Sequence, residues 1–177
     1  MKPFPYYRQY DAKQCGITCL RMICKFYGKE LSIEHIAQYC HTGQERTSLL
    51  GISEGATKLG MKTFAAKISL TQLLAATTPC ILHWDQSHYV ILYKIKKDSV
   101  FYIADPGRSK KKYNIQEFKR HWLSTITGGE EKGIALFIMP TPKFESLQND
   151  LVTNKKSFSF LWNYLKPYKK YFLLILT

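Results

Sequence analysis

The sequence contains few acidic residues and no signature of a nucleic-acid-binding module. Its 13 Asp and Glu are outnumbered by 26 Lys and Arg, which gives a formal net charge of +13 and favours acidic partners. Five of the lysines fall within residues 151–177, which hold no acid, and residues 1–150 therefore carry +8. Because no aromatic RNA-binding stretch and no zinc-finger spacing occurs, nucleic acid is a weak alternative and we expect no nucleic-acid partner.

The five cysteines are odd in number and include no Cys-x-x-Cys pair. In a chain of 177 residues this argues against a disulfide scaffold and for a reducing compartment. A zinc site also fits poorly, since on a helix Cys15 and Cys19 share a face whereas Cys24 points about half a turn away. The first eleven residues contain no apolar signal-peptide core, so they do not predict secretion.

The hydrophobic pattern changes from helical spacing in the first half to short strands in the second. It predicts helices at 15–27, 32–40, 49–59, 70–76 and 115–122. It predicts strands at 61–68, 80–84, 88–95, 100–104 and 134–139. Helices followed by an antiparallel sheet indicate an α+β domain, which we expect to occupy residues 1–142.

The residues after 142 have a different composition. Residues 143–156 are mostly polar and are predicted to form a linker, and residues 157–177 combine aromatics and lysines with a final apolar run. That run is far shorter than the roughly 20 residues that cross a bilayer. It is either an amphipathic tail that folds back on the domain or the start of a membrane helix cut off by the end of the chain. Basic residues before an apolar run are typical of the cytoplasmic edge of a span, which favours the second interpretation.

Cys15 is the candidate nucleophile. It follows Lys13 and Gln14, precedes Gly16, and stands where an irregular segment enters the first predicted helix. Unpaired N–H groups and the macrodipole at a helix N-terminus stabilise a thiolate, which is the nucleophilic form. The other four cysteines lie within apolar patterns and are expected to be buried hydrophobic residues.

His88 is the candidate base, because it lies where a polar loop enters an apolar strand. His35, His41, His83 and His121 have weaker surroundings for this role. If the strands that follow His88 form a hairpin in which Ile95 opposes Val100, then Asp105 faces Val90. Val90 shares a face with His88, so Asp105 becomes the diagonal neighbour of His88, about 7–8 Å away between α-carbons. Asp105 would then orient the imidazole, although an aspartate before Pro-Gly is also a common turn residue.

An acyl-transfer site also needs hydrogen-bond donors for an oxyanion. Gln9 lies six residues before Cys15 and has a suitable side chain, and the backbone N–H of Cys15 would be the second donor.

Four motifs follow one another along the chain: Gln9, Cys15-Gly16, the Ser-His-Tyr-Val segment at 87–90 and the Asp-Pro-Gly turn at 105–107. Their order and intervals resemble the C39 peptidase domains of bacterial peptidase-containing ABC transporters. The resemblance covers about residues 3–140. It implies a papain-like fold and cleavage of a bacteriocin or signalling-peptide leader after a Gly-Gly pair. It also implies Cys15 as nucleophile, His88 as base, Asp105 as orienting group and Gln9 as oxyanion donor.

The resemblance further implies membrane and ATPase domains of the same transporter as partners, a homodimeric full-length transporter, and a place at the cytoplasmic face of the bacterial inner membrane. It implies no cofactor and no metal for the peptidase domain, because ATP and Mg²⁺ belong to a nucleotide-binding domain. No Walker-type loop occurs in this sequence. Many family members carry an acidic residue where this chain has Gln14, a difference that bears on leader preference rather than on the four chemical roles.

Two other functions use the same residues. One is a catalytically silent domain that only holds a substrate for export, which the presence of Cys15 disfavours. The other is a different papain-like acyl-transfer enzyme, such as a transglutaminase or a deamidase.

Overall fold

The computed structural model describes residues 3–40 and 47–149. Its helices are α1 (Cys15–Phe26), α2 (Ile33–Tyr39), α3 (Leu49–Lys58), α4 (Leu70–Leu74), α5 (Ile115–Trp122) and α6 (Pro142–Glu145). Its strands are β1 (Met61–Ile68), β2 (Cys80–Trp84), β3 (His88–Lys96), β4 (Val100–Ala104), β5 (Lys110–Asn114), β6 (Thr125–Thr127) and β7 (Glu130–Pro140). The predicted α+β class and every predicted helix and strand are confirmed, with shifts of a few residues at some ends.

Local side-chain chemistry sets the helix boundaries. Ser32 and Ser48 cap α2 and α3 by accepting hydrogen bonds from backbone N–H groups in the first turn. Asn114 and Glu117 form a reciprocal capping box at the start of α5. Gly60 has a φ of 86°. This left-handed conformation terminates the helix that includes α3, and β1 begins at the next residue.

The strands form one antiparallel sheet in the order β1-β7-β2-β3-β4-β5, and β6 pairs with the first part of β7. Helices α1, α2 and α3 pack on one face, where their apolar side chains meet Ile81, Ile91 and Leu136 of the sheet. Helix α5 covers the other face with Phe118 and Trp122. The sheet thus separates two apolar cores, and one end of it is left open where β3 begins and β4 ends.

The register of the β3–β4 hairpin differs from the predicted one near its turn. The structure pairs Ile95 with Phe101, not with Val100 as predicted, because the turn occupies three residues instead of four. A bulge at Tyr93 then shifts the register by one, so that Ile91 pairs with Ala104. Beyond the bulge the pairing is the one that the sequence predicts, and the faces of His88 and Asp105 therefore agree with the prediction.

Strands β5 and β6 and helix α6 are not predicted from the sequence. Strand β5 begins with three consecutive lysines, which carry no apolar alternation, and it lies at the edge of the sheet, where lysine is common. Helix α6 begins at Pro142, the last residue predicted for the domain, and continues into the predicted linker, where Phe144 is fully buried against the core beneath α1, α2 and α3. Packing against the domain therefore continues past residue 142.

Within the described residues no helix is long and apolar enough to cross a membrane. The predicted segment at 157–177, and the part of the linker after residue 149, lie outside the described residues.

Candidate active site

The open end of the sheet brings three sequence-predicted residues to one place. Cys15 is the first residue of α1, His88 is the first residue of β3, and Asp105 directly follows the last residue of β4. Antiparallel pairing of β3 with β4 puts the start of one strand beside the end of the other. Packing of α1 against β3 brings the helix N-terminus to the same edge.

The segment before α1 places Cys15 in the first turn of the helix. Residues Ala12–Gln14 form a 3-10 turn whose cap is Asp11, and α1 continues directly from it. The N-cap residue of α1, Gln14, makes no side-chain capping hydrogen bond. The first backbone N–H groups of the helix thus keep their capacity to stabilise negative charge close to Cys15.

The Cys15 thiol lies beside the His88 imidazole, and each shifts the pKa of the other. Burial alone would raise the pKa of Cys15, but the hydrogen bond to His88 and backbone hydrogen bonds from Tyr89 and Gly16 lower it below its usual value. Burial alone would lower the pKa of His88, but its hydrogen bonds to Asp105 and Cys15 raise it to about 9. Each partner therefore stabilises the charged form of the other, the thiolate of Cys15 and the imidazolium of His88.

Asp105 holds the imidazole in a defined orientation. Its Oδ1 lies 2.7 Å from Nε2 of His88, which leaves Nδ1 for the thiol. The same oxygen accepts a hydrogen bond of 2.8 Å from the backbone N–H of Gly107. The side chain of Asp105 is only 5% exposed, and burial alone would raise its pKa, but these bonds and the charge of His88 lower it. Asp105 therefore remains a carboxylate that stabilises the imidazolium.

The turn after β4 also fixes Gln9. The backbone N–H of Gln9 donates to the Pro106 carbonyl at 2.9 Å, which ties the irregular N-terminal segment to the Asp-Pro-Gly turn. A β-carbon added to Gly107 would lie 3.6 Å from Nε2 of Gln9 and 3.6 Å from Cε1 of His88. The amide of Gln9 thus reaches the same small space as the imidazole. The buried Oε1 of Gln9 has no hydrogen-bond partner within the described chain.

A cavity of about 370 Å³ opens beside these residues. Its wall consists of Gln9, Ala12, Asp85, Ser87, His88, Asp105, Gly107 and Arg108. An extended peptide entering this space would pass the imidazole and the Gln9 amide. The arrangement can therefore generate a nucleophilic sulfur, protonate a leaving amine and place donors near a developing oxyanion.

The other cysteines are buried and free, as predicted. Burial raises the pKa of Cys24 and Cys80 to about 12 and that of Cys40 to about 11, and it raises the pKa of Cys19 well above its usual value. Cys15 is the cysteine whose pKa moves in the opposite direction. This contrast separates a reactive thiol from four packing residues.

The remaining histidines are placed as follows. His35 contacts the Tyr39 ring on α2, His83 contacts the Tyr89 ring on the sheet, and His41 lies outside the described residues. His121 falls in the helix predicted at 115–122, and it is at the end of α5. There it forms a second carboxylate–imidazole pair with Asp85, at 2.7 Å between Nδ1 and Oδ1.

The Asp85–His121 pair was not predicted, although Asp85 directly precedes the polar turn before His88. The backbone N–H of Asp85 donates to the His121 carbonyl at 3.0 Å, and the His121 ring stacks on Trp84 with ring centroids 5.0 Å apart. Asp85 and Gln86 both have positive φ, so this turn adopts a conformation that is costly for such residues. The last turn of α5 thereby holds the segment that carries His88.

Gly16, directly after Cys15, lies against helix α3. A β-carbon there would lie 2.6 Å from Cδ1 of Ile52 on α3. Because Gly16 has no side chain, α1 can pack closely on α3 at this point.

No group of three or more His, Cys, Asp or Glu side chains in the described ranges 3–40 and 47–149 could hold a metal ion.

The sequence model of the Peptidase C39 family matches residues 3–130. The chain is 32% identical over 142 residues to the colicin V secretion/processing ATP-binding protein CvaB of Escherichia coli, which covers 80% of this chain. It is 35% identical over 143 residues to the lactococcin-G-processing and transport ATP-binding protein LagD of Lactococcus lactis subsp. lactis, which covers 77% of this chain. In both cases the match spans only 19% of the relative.

Two solved structures share the fold. A double glycine motif protease from an AMS/PCAT transporter, in complex with the leader peptide, matches with a TM-score of 0.68 and 28% identity, over 77% of this chain and 91% of that one. The peptidase domain of Streptococcus ComA, a bi-functional ABC transporter, matches with a TM-score of 0.66 and 26% identity, over 78% of this chain and 100% of that one. The predicted papain-like α+β fold is thus confirmed.

Proposed function

The chain belongs to the C39 peptidase family, and from this premise we propose that it is a cysteine endopeptidase that cleaves the leader of an exported peptide after a Gly-Gly pair. The observation that carries the proposal is that Cys15, at the N-terminus of α1, lies beside His88, which in turn is hydrogen-bonded to Asp105. A depressed thiol pKa beside an imidazole pKa of about 9 is the protonation pattern that a cysteine peptidase needs.

In the proposed reaction the Cys15 thiolate attacks the carbonyl carbon of the second glycine. The carbonyl oxygen becomes an oxyanion, which the Cys15 backbone N–H and the Gln9 side-chain amide stabilise. His88 donates its proton to the leaving amine, so the C–N bond breaks and a thioester to Cys15 remains. His88 then removes a proton from water, and the resulting hydroxide cleaves the thioester and restores the thiolate. Asp105 stabilises the imidazolium at each stage in which it forms.

The substrate class follows from the family and from charge. One structural relative is a double glycine motif protease bound to a leader peptide, which supports a Gly-Gly leader as the substrate. Glycine lacks a β-carbon, so a narrow cleft can admit it and exclude larger residues. Residues 1–150 carry a net charge of +8, which favours association with an acidic leader.

The proposal also names the larger protein, the location and the partner domains with which this domain would act. Because the chain spans about a fifth of the secretion and processing proteins that it resembles, we assign it as the peptidase part of a homodimeric ABC exporter of a bacteriocin or signalling peptide. It would act at the cytoplasmic face of the cell membrane, with the membrane and ATPase domains as partners. ATP and Mg²⁺ would serve only the ATPase domain, and the peptidase would use neither a cofactor nor a metal.

A peptide that contains a Gly-Gly leader junction tests the proposal against the two alternatives. Mass spectrometry should detect cleavage directly after the second glycine by the wild-type chain and none by Cys15→Ala. A matched peptide with Ala-Ala at the junction should stay intact. Binding without cleavage by the wild-type chain would identify a silent docking domain, and release of ammonia from glutamine would identify a deamidase or transglutaminase.

A further inference from the structure

Four lysines form a basic strip on the helix-bearing face of β3, β4 and β5. The basic strip consists of Lys94, Lys96, Lys110 and Lys112, all of them exposed. The register places Lys94 and Lys112 on either side of Tyr102, Lys96 opposite Val100 and Lys110 opposite Ala104. Helix α1 packs on β3, and the helices of that layer leave the outer strands β4 and β5 largely uncovered.

The bulge at Tyr93 creates the strip. Leu92 belongs to the core beneath α5, and strict alternation would put Lys94 on that same side. The bulge instead brings Lys94 to the opposite face, beside Tyr93, which contacts the ring of Tyr102 and stacks on Phe4. The ammonium groups of Lys94 and Lys112 then lie 5.6 and 5.4 Å from the centroid of the half-buried Tyr102 ring.

The four lysines keep their charge unpaired among the residues that the structure describes. The strip lysines face Val100, Tyr102 and Ala104 across the strands, none of which is acidic. Within the described part of the chain none of the four lysines forms an ion pair with a carboxylate. The Lys110 ammonium donates to the Phe4 carbonyl, which orders that side chain and leaves its charge in place.

Protection of a sheet edge explains only half of this pattern. Lysine on an edge strand discourages pairing with another chain, and this accounts for Lys110 and Lys112 on β5. Lys94 and Lys96 are on β3, two strands away from that edge. Their position on the same face, about 10 Å from β5 at the usual strand spacing, produces a broad cationic surface and not a charged border.

We propose that the basic strip docks the domain on an anionic phospholipid surface. The four ammonium groups are spread over a three-stranded surface, and a bilayer offers phosphates spread over a similarly broad plane. An aromatic ring set among cations is also suited to the headgroup layer. The inference rests on the proposed function for its setting, because a peptidase joined to an exporter works beside a membrane. Docking would orient the open end of the sheet relative to that membrane.

Cosedimentation of the full 177-residue chain with lipid vesicles tests this proposal. Vesicles of phosphatidylcholine with about one-third phosphatidylglycerol should bind the wild-type chain more tightly than vesicles of phosphatidylcholine alone. A lysine near an anionic bilayer contributes about fivefold to binding, so Lys94→Gln with Lys112→Gln should weaken binding by about 30-fold. The matched control is Lys62→Gln with Lys67→Gln, an equal loss of charge on β1 at the opposite edge, which should change binding by less than about threefold.

A second measurement tests whether the strip itself, and not another part of the chain, contacts the vesicles. Acylation of lysines, mapped by mass spectrometry, should slow at Lys94 and Lys112 when anionic vesicles are added and stay unchanged at Lys62. Equal effects of the strip and control variants, or equal acylation with and without vesicles, would overturn the docking proposal. Leader cleavage by the strip variant should equal that of the wild-type chain, so loss of vesicle binding with intact cleavage leaves the proposed peptidase function standing.

Discussion

Replacing Asp105 with asparagine should move the alkaline limit of activity to lower pH. The pKa of His88 is about 9 instead of 6.5, and after the opposing effect of burial its hydrogen bond to Asp105 is the first cause of this rise. His88 therefore stays protonated up to about pH 9. Above that pH the thiolate–imidazolium pair is lost. A neighbouring carboxylate shifts a pKa by about 1–3 units, so Asp105→Asn should bring the alkaline limb down by about 1–2 units.

The size of the rate effect follows from the same contact. A hydrogen bond to a charged group is worth about 1.5–3 kcal/mol, so its loss at 2.7 Å should slow the reaction at neutral pH by about 10- to 150-fold. Asparagine can still accept from Nε2, so the effect should be smaller than that of Cys15→Ala or His88→Ala. His88→Ala should abolish turnover and leave leader binding intact.

The assay is the pH dependence of kcat/KM for a Gly-Gly leader peptide, which should be bell-shaped with limits that belong to the coupled pair. Asp98→Asn, which removes an exposed carboxylate at the far end of the same hairpin, is the matched control and should leave the alkaline limb in place. An unchanged alkaline limb in Asp105→Asn would refute the assignment of Asp105 as the group that stabilises the imidazolium.

Three further changes probe other parts of the site. His121→Ala removes the contact with Asp85 that holds the turn before His88, so kcat should fall by about tenfold with little change in KM. His121→Gln should restore part of the lost kcat. An equal kcat in the wild-type chain and both variants would contradict this role. Iodoacetamide at pH 7 should modify Cys15 first, as judged by peptide mass spectrometry, and faster labelling of Cys19, Cys24, Cys40 or Cys80 would contradict the pKa order. Gly16→Ala should lower the free energy of unfolding in urea by about 1–3 kcal/mol through its clash with Ile52, and Ile52→Val should recover part of that loss. A stable Gly16→Ala protein would contradict the close packing of α1 on α3.

The sequence predicts the elements whose patterns are local. Helices α1 and α5 and strands β1, β2 and β4 have apolar spacing and clear stops, and their bounds agree with the prediction to within a residue. The approach of Asp105 to His88 was also predicted, but the predicted turn was one residue too long, and the bulge at Tyr93 restores the register that brings the two residues together.

Features that depend on tertiary contacts were not predictable. The bulge at Tyr93 is set by packing of that ring on Phe4, which is about ninety residues distant in the chain, and no short-range signal marks it. Strand β5 has lysines where a buried strand would have apolar residues, because it lies at the sheet edge. The Asp85–His121 pair joins a turn to a helix end thirty-six residues later, a separation that periodicity does not encode.

The central claim is that the sulfur of Cys15 forms a covalent bond to the leader during cleavage. Acid quenching of a single turnover, followed by mass spectrometry of the protein fragments, measures this directly. We expect a thioester between the carboxyl end of the leader and the fragment that contains Cys15. Cleavage that proceeds with no adduct on Cys15, and that survives Cys15→Ala, would contradict the account.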